Sequence, residues 1–235
     1  VRSAAVQALS ELDFGQLAEA LELALQDRSS EVRSTALSLI PQVDIPEERA
    51  VDLFTTILES GSIQEQQTAL LSLGQLLGEA ATQALNGLTD NFLAGQLEPA
   101  LKLELEEAVE AHGNADLAAK LEQFYSEIPE DDVIAKYQAA LVGGNAGRGR
   151  RIFGRNNAAQ CIRCHSVFEY GGDVGPGLSN IGVKYDREKL LESMVAPSAT
   201  IAPGYGVATL TLKDGETVAG IIEAEDDALI TLKLG

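Results

Sequence analysis

Apolar residues recur at helical spacing through the first 125 positions. Ala5, Ala8, Leu9 and Leu12 share one helical face, and Leu17, Ala20, Leu21, Ala24 and Leu25 share another. Breaks rich in Asp, Ser, Pro, Gly and Asn fall at 13–15, 27–30, 41–46, 60–62, 78 and 113–114. They predict helices of about 10–15 residues joined by short turns. A further short helix is predicted just beyond Asn145, and another over 186–195, stopped by Pro197. From residue 206 the period shortens to two. Strands are predicted over 206–212, 217–222 and 228–234, with Asp214-Gly215 as a hairpin turn and 223–227 as an acidic turn.

The helical part repeats itself. Val1-Arg2-Ser3-Ala4-Ala5-Val6 matches Val32-Arg33-Ser34-Thr35-Ala36-Leu37, and a weaker copy runs Glu65-Gln66-Gln67-Thr68-Ala69-Leu70. A small residue at Ala5, Ala36 and Ala69 lets neighbouring helices approach closely. The Asp-x-x-x-x-Val-Arg run from Asp27 to Arg33 resembles the opening of the second helix of a HEAT repeat. The period is shorter than the roughly 40 residues usual for that class. Stacked pairs of this kind bury a core that no pair buries alone. The resemblance implies a spacer or protein-binding solenoid. A plain helical bundle with a solvated acidic surface is the simpler reading. His112, ahead of Gly113-Asn114, reads as a favourable charge at a helix end and is assigned no chemistry.

Charge divides the chain. Residues 1–140 hold 7 Lys/Arg and 25 Asp/Glu, and residues 141–235 hold 10 and 11. The overall net charge of −19 repels a phosphate backbone and excludes a nucleic-acid partner. No run approaches the roughly 20 apolar residues of a membrane span. The helical pattern at one end and the strand pattern at the other lead us to expect a piece of a longer polypeptide, with any targeting signal elsewhere.

The candidate chemistry lies in the second part. Cys161-Ile162-Arg163-Cys164-His165 contains both cysteines of the chain and one of its two histidines. Two thiols three positions apart, followed directly by His, form the attachment pattern of a c-type haem. Each thiol adds to one vinyl group of the porphyrin, and the turn between them brings the imidazole under the iron as proximal ligand. Covalent attachment keeps the group bound even where a small domain buries it only partly. Three other uses compete: a disulfide, which is strained and reducible at this spacing; a thioredoxin-like redox pair, for which no βαβ unit is predicted; and a zinc site, which lacks a fourth ligand.

The flanks carry a resemblance to cytochrome c. Gly149 and Phe153 stand where the first helix of that family carries a glycine and an aromatic beside the haem. Gly171-Gly172-Asp173-Val174-Gly175-Pro176-Gly177-Leu178 resembles its Gly-Pro-x-Leu loop. The resemblance implies that the Pro176 carbonyl holds His165. Together with Leu190-Leu191-Glu192-Ser193 and Pro197-Ser198-Ala199-Thr200-Ile201-Ala202-Pro203-Gly204-Tyr205, these segments look like the haem-binding C-terminal domain group of large secreted proteins of Planctomycetes and Verrucomicrobia. In many of those, helical repeats precede the cytochrome domain.

The expected organisation is therefore mostly α: HEAT-like helical repeats over 1–125, a linker or helix over 126–144, a cytochrome c-like haem domain over 145–205 and a small antiparallel β extension over 206–235. One covalent haem c is expected, bound by Cys161, Cys164 and His165, with Phe153 and Pro176 beside it and Met194, the sole methionine, as candidate distal ligand. The family's usual loop methionine is missing near 207–210. The resemblance implies one-electron transfer from a dehydrogenase module or redox partner protein, in the periplasm or another extracytoplasmic space. It implies an electron carrier rather than a catalyst. Two alternatives follow from the unmatched distal position: a haem enzyme or gas- or peroxide-binding domain, and an interaction scaffold with a structural haem. Arg148, Arg150, Arg151, Arg155 and Arg163 cluster around the attachment site, as a surface for an acidic partner or as ordinary solvation.

Overall fold

The computed structural model describes residues 1–12, 15–226 and 228–233, Lys233 by its backbone alone. The chain is mostly helical, with small antiparallel sheets. It divides into two units, Val1–Gly144 and Asn145–Gly235. The break expected at 13–15, the turn at Asp227 and the strand end at Leu234 fall partly or wholly outside the described residues.

The first unit contains α1 (Arg2–Glu11), α2 (Leu17–Ala24), α3 (Ser30–Leu39), α4 (Glu47–Ser60), α5 (Ile63–Leu73), α6 (Glu79–Leu93), α7 (Lys102–His112) and α8 (Ala115–Ser126). Local chemistry sets several of their ends. The Glu65 carboxylate accepts from the Ser62 backbone N–H at 3.0 Å, the reciprocal half of a capping box at the start of α5. The Asn114 side chain accepts from Asp116 N and Leu117 N at 3.0 and 3.1 Å and starts α8. Odd-numbered helices form one layer: α1 packs on α3, α3 on α5, and α5 on α7. In the other layer α4 packs on α6 and α6 on α8. Leu21, Leu37, Phe54, Leu70, Leu73, Leu85 and Leu105 are wholly buried between them, each contributing about 1.5–3 kcal/mol relative to exposure. Phe92 and Phe124 close the far end edge-to-face at 5.1 Å.

The repeat carries over only in part, and its two arginines each reach an acidic side chain further along the chain. Ala36 and Ala69 are both wholly buried. Arg2 Nε donates to the Asp27 carboxylate at 2.8 Å, and its Nη2 donates at 3.0 Å. One repeat later Arg33 Nη1 donates to the Asp27 carbonyl at 2.7 Å, and its Nε donates to Glu65. The face expected for α1 is corrected, however. Val6 is its buried residue, while Ala5, Ala8 and Leu12 stand exposed, because α3 covers only one side of that helix.

His112 does more than end a helix. It is buried on α7; its Nδ1 donates to the Leu76 carbonyl at 2.6 Å, and its Nε2 lies 2.8 Å from Thr82 Oγ1. One ring thus ties α7 to the end of the α5 turn and to α6. His112→Ala is expected to lower the stability of this unit by about 2 kcal/mol, since the part-buried Leu76 carbonyl loses its donor and the buried ring leaves a void. Thr82→Val should cost less, because it removes only the weaker arm. Urea unfolding followed by helical signal measures both, and equal losses would contradict the ranking.

Residues 127–144 belong to this unit. A 3₁₀ segment, Ala135–Ala140, packs on α7 and buries Ala139.

The second unit contains α9 (Ala146–Arg155), α10 (Cys161–Cys164), β1 (Ser166–Val167), β2 (Tyr170–Gly171), α11 (Ile181–Lys184), α12 (Arg187–Val195), β3 (Val207–Thr211), β4 (Thr217–Glu225) and β5 (Ile230–Lys233). Asn145 caps α9, accepting from Arg148 N at 2.8 Å, and Asp186 caps α12, accepting from Lys189 N at 2.8 Å. β1 pairs with β2, and β3, β4 and β5 form an antiparallel meander in chain order. The acidic stretch after Ile222 continues β4 as far as Glu225 rather than turning at once. A register shift between Ile222 and Ala224 lets the strand keep pairing past Glu223.

Candidate functional site

The site is built on one turn of helix and the loop that folds back over it. Asn156 organises the approach, its side chain accepting from Ala158 N at 2.9 Å and Ala159 N at 2.8 Å. Gln160, in a left-handed conformation at φ 46°, then starts α10. His165 N donates to the Cys161 carbonyl at 2.9 Å, which fixes the imidazole one turn beyond the first thiol. Both cysteines are free thiols, Cys161 half-buried and Cys164 exposed.

The glycine-rich loop binds this turn through its backbone. Gly172 N donates to the Ile162 carbonyl at 2.9 Å, Gly175 N to the Cys164 carbonyl at 2.7 Å, and Leu178 N to the Ser166 carbonyl at 2.8 Å. Three glycines are required by distance: a Cβ on Gly171 would lie 2.3 Å from the His165 carbonyl oxygen. A Cβ on Gly172 would lie 1.9 Å from the Arg163 carbonyl oxygen, and one on Gly175 would lie 2.6 Å from Cε1 of His165. The loop therefore approaches as closely as bare backbone permits.

That approach orients the histidine. His165 Nδ1 lies 2.9 Å from the Pro176 carbonyl oxygen. A carbonyl only accepts, so Nδ1 is the donor, and in the neutral ring this tautomer makes Nε2 the ligating nitrogen. His165 and Pro176 are thus brought together, within a segment joined to both cysteines. Phe153 is half-buried on α9, and Met194 is 81% exposed on α12. Lys189 of α12 is tied to Glu192 and donates to Thr200 Oγ1 at 2.7 Å, so this helix is anchored to the loop that follows it.

Apolar side chains of this unit lie open. Among the described residues of 145–205 none is buried; Val183 is 89% exposed, and Ile152 and Ile201 are exposed as well. The first unit, by contrast, has a continuous core. Apolar side chains on small helices without a core of their own suit a large, flat, apolar group that would cover them. A bare metal ion is a poorer match. No three His, Cys, Asp or Glu side chains are grouped to hold an ion among the described residues.

One feature had no sequence signal. Phe168 and Glu169 both adopt positive φ, 48° and 66°, in the turn between β1 and β2. Neither residue type favours that conformation. The turn is held by Phe168 N donating to Ser179 Oγ at 2.8 Å, a contact no local pattern announces.

Fold and site together define a mostly helical chain of two units, in which a Cys-x-x-Cys-His turn is clasped by a glycine-rich loop. The chain matches no protein-family model, no curated protein and no solved structure. No helix among the described residues is long and apolar enough to cross a membrane.

Proposed function

We propose that the second unit is a cytochrome c-like module holding one haem c, and that the chain serves one-electron transfer behind a HEAT-like repeat unit. The observation that carries the reading is the His165–Pro176 hydrogen bond, which presents Nε2 as a ligand one residue after the second thiol. The exposed apolar residues of 145–205 support it, since a porphyrin face would cover them. When bound, the haem supplies a reversible one-electron couple. The chain's own residues would anchor it as thioethers through Cys161 and Cys164, hold the proximal imidazole in one tautomer through Pro176, and exclude water with apolar side chains. Such a second-sphere bond makes an imidazole a stronger donor to its metal. The partner in this reading is a redox protein or dehydrogenase module, met in the periplasm or another extracytoplasmic space.

A second reading rests on Met194. At 81% exposure its thioether is not held by packing, and an open distal position would bind a small diatomic ligand or peroxide. Chain matured with a c-type haem attachment system separates the cases. A mass increase of one porphyrin, lost in Cys161→Ser/Cys164→Ser, is expected; the bare polypeptide mass would overturn the assignment. A reduced spectrum unchanged by carbon monoxide supports electron transfer at a six-coordinate iron. A shifted Soret band supports the open site.

A further inference from the structure

The even-numbered layer of the first unit is not continuous. α4 packs on α6 and α6 on α8, but α2 does not close against α4 in the same way. The connection between α3 and α4 accounts for the gap. It runs over residues 40–46, through the 3₁₀ turn Ile40–Gln42, with Pro41 in that turn and Pro46 at the start of α4. The connection between α5 and α6 runs only over 74–78 and has no proline. Ile40, Val43 and Ile45 of the longer segment line a cleft of about 300 Å³, joined by Leu25 at the end of α2 and Leu53 of α4. Ile40 is buried and the other four are half-buried. Two charges flank this apolar lining. Arg49 Nη2 donates to Glu22 Oε1 at 2.8 Å, and the two side chains are 68% and 59% exposed.

We propose that this cleft binds a free α-amino acid with a branched aliphatic or aromatic side chain. Its volume stands at the lower end of the roughly 300–1,000 Å³ of small-ligand sites, which suits one such molecule. The apolar lining takes the side chain. The flanking charges take the rest: the ligand carboxylate accepts from the Arg49 guanidinium, and its ammonium donates to the Glu22 carboxylate. An ion pair this exposed contributes little to the fold, so its two members turn to a ligand at small cost. A ligand with an anion alone would meet Glu22 as a like charge, and one with a cation alone would meet Arg49 so. One cation beside one anion therefore favours a zwitterion over a fatty acid or an alkylamine. The site lies wholly in the first unit and is independent of the haem reading.

Titration of the 235-residue chain with L-leucine and with L-phenylalanine, followed through its amide resonances, tests the proposal. Saturable shifts at millimolar concentration are expected over residues 22–26 and 40–53, with the resonances of α7 unmoved. N-acetyl-leucine lacks the ammonium and leucinamide lacks the carboxylate, so each should bind about tenfold more weakly than leucine. Glu22→Gln and Arg49→Gln should each weaken leucine binding by about the same factor. Both should leave thermal melting unaltered, because both side chains are exposed. The absence of a saturable shift with either amino acid overturns the proposal. So does binding of N-acetyl-leucine or leucinamide as tight as that of leucine, since the flanking charges would then not read the zwitterion.

Discussion

Glu65→Gln is expected to lower the stability of the repeat unit by about 3 kcal/mol at neutral pH, with most of the loss disappearing in acid. Glu65 is 4% exposed and accepts from Arg33, the Ser62 hydroxyl and the Ser62 backbone. The hydrogen bond from Arg33, with the two from Ser62, outweighs burial and pulls its carboxyl from the ordinary 4.5 down to about 2. Holding a carboxyl that far below its unfolded value is worth about 1.4 kcal/mol for each pH unit of displacement. A depressed carboxyl stabilises the fold fully above its unfolded pKa and loses that contribution as pH falls towards the folded one. The window is therefore pH 4.5 down to about 2. Gln keeps the shape but not the charge, and it leaves Arg33 facing a neutral partner across α3 and α5. Removing one member of a buried pair commonly costs about 3–5 kcal/mol. Urea midpoints of both proteins from pH 7 to pH 2 should converge as the pH falls. Curves that stay parallel would show that the ion pair contributes nothing of this kind.

Gly175→Ala is expected to disturb the histidine of the site directly, because the atoms its new Cβ meets belong to the imidazole ring. The added carbon would stand 2.6 Å from Cε1 and 2.8 Å from Nδ1 of His165, well inside van der Waals contact. The loop cannot retreat freely, because Gly175 N is bound to the Cys164 carbonyl at 2.7 Å. The imidazole must turn, and the Nδ1–Pro176 bond is the contact it loses. Disrupting the group that orients a metal-binding histidine typically costs 10–100-fold in metal affinity or activity, roughly 1.4–2.7 kcal/mol. Nuclear magnetic resonance of the ring reports the change without any bound group. In the parent chain the Nδ1 proton should exchange slowly and the Nε2 should resonate as an unprotonated nitrogen; in Gly175→Ala both signatures should be lost. A variant with an unaltered ring spectrum would mean that the glycine is not what sets the histidine's orientation.

Much of this was legible along the chain. Asn114, Asn145 and Asp186 cap helices with short polar side chains, because capping needs only the next two or three backbone amides. Asp214-Gly215 turns the hairpin for the same local reason. The Cys161–His165 spacing needs only one turn of backbone to be read as chemistry. Met194 shows the limit of such reading: a candidate distal ligand by elimination, it stands mostly exposed on α12.

What neighbours in sequence determine is where helices and strands begin, which residues recur with the repeat, and that two thiols and an imidazole stand within one turn. Tertiary structure alone decided which side of α1 is covered, that Arg33 meets Glu65 across 32 positions, that His112 bridges two helices, and that Gly172 and Gly175 press against the Cys-x-x-Cys-His turn. The division has a physical cause. Capping and turn formation depend on atoms within a few residues, whereas burial, ion pairing and close backbone approach depend on what the rest of the chain brings alongside.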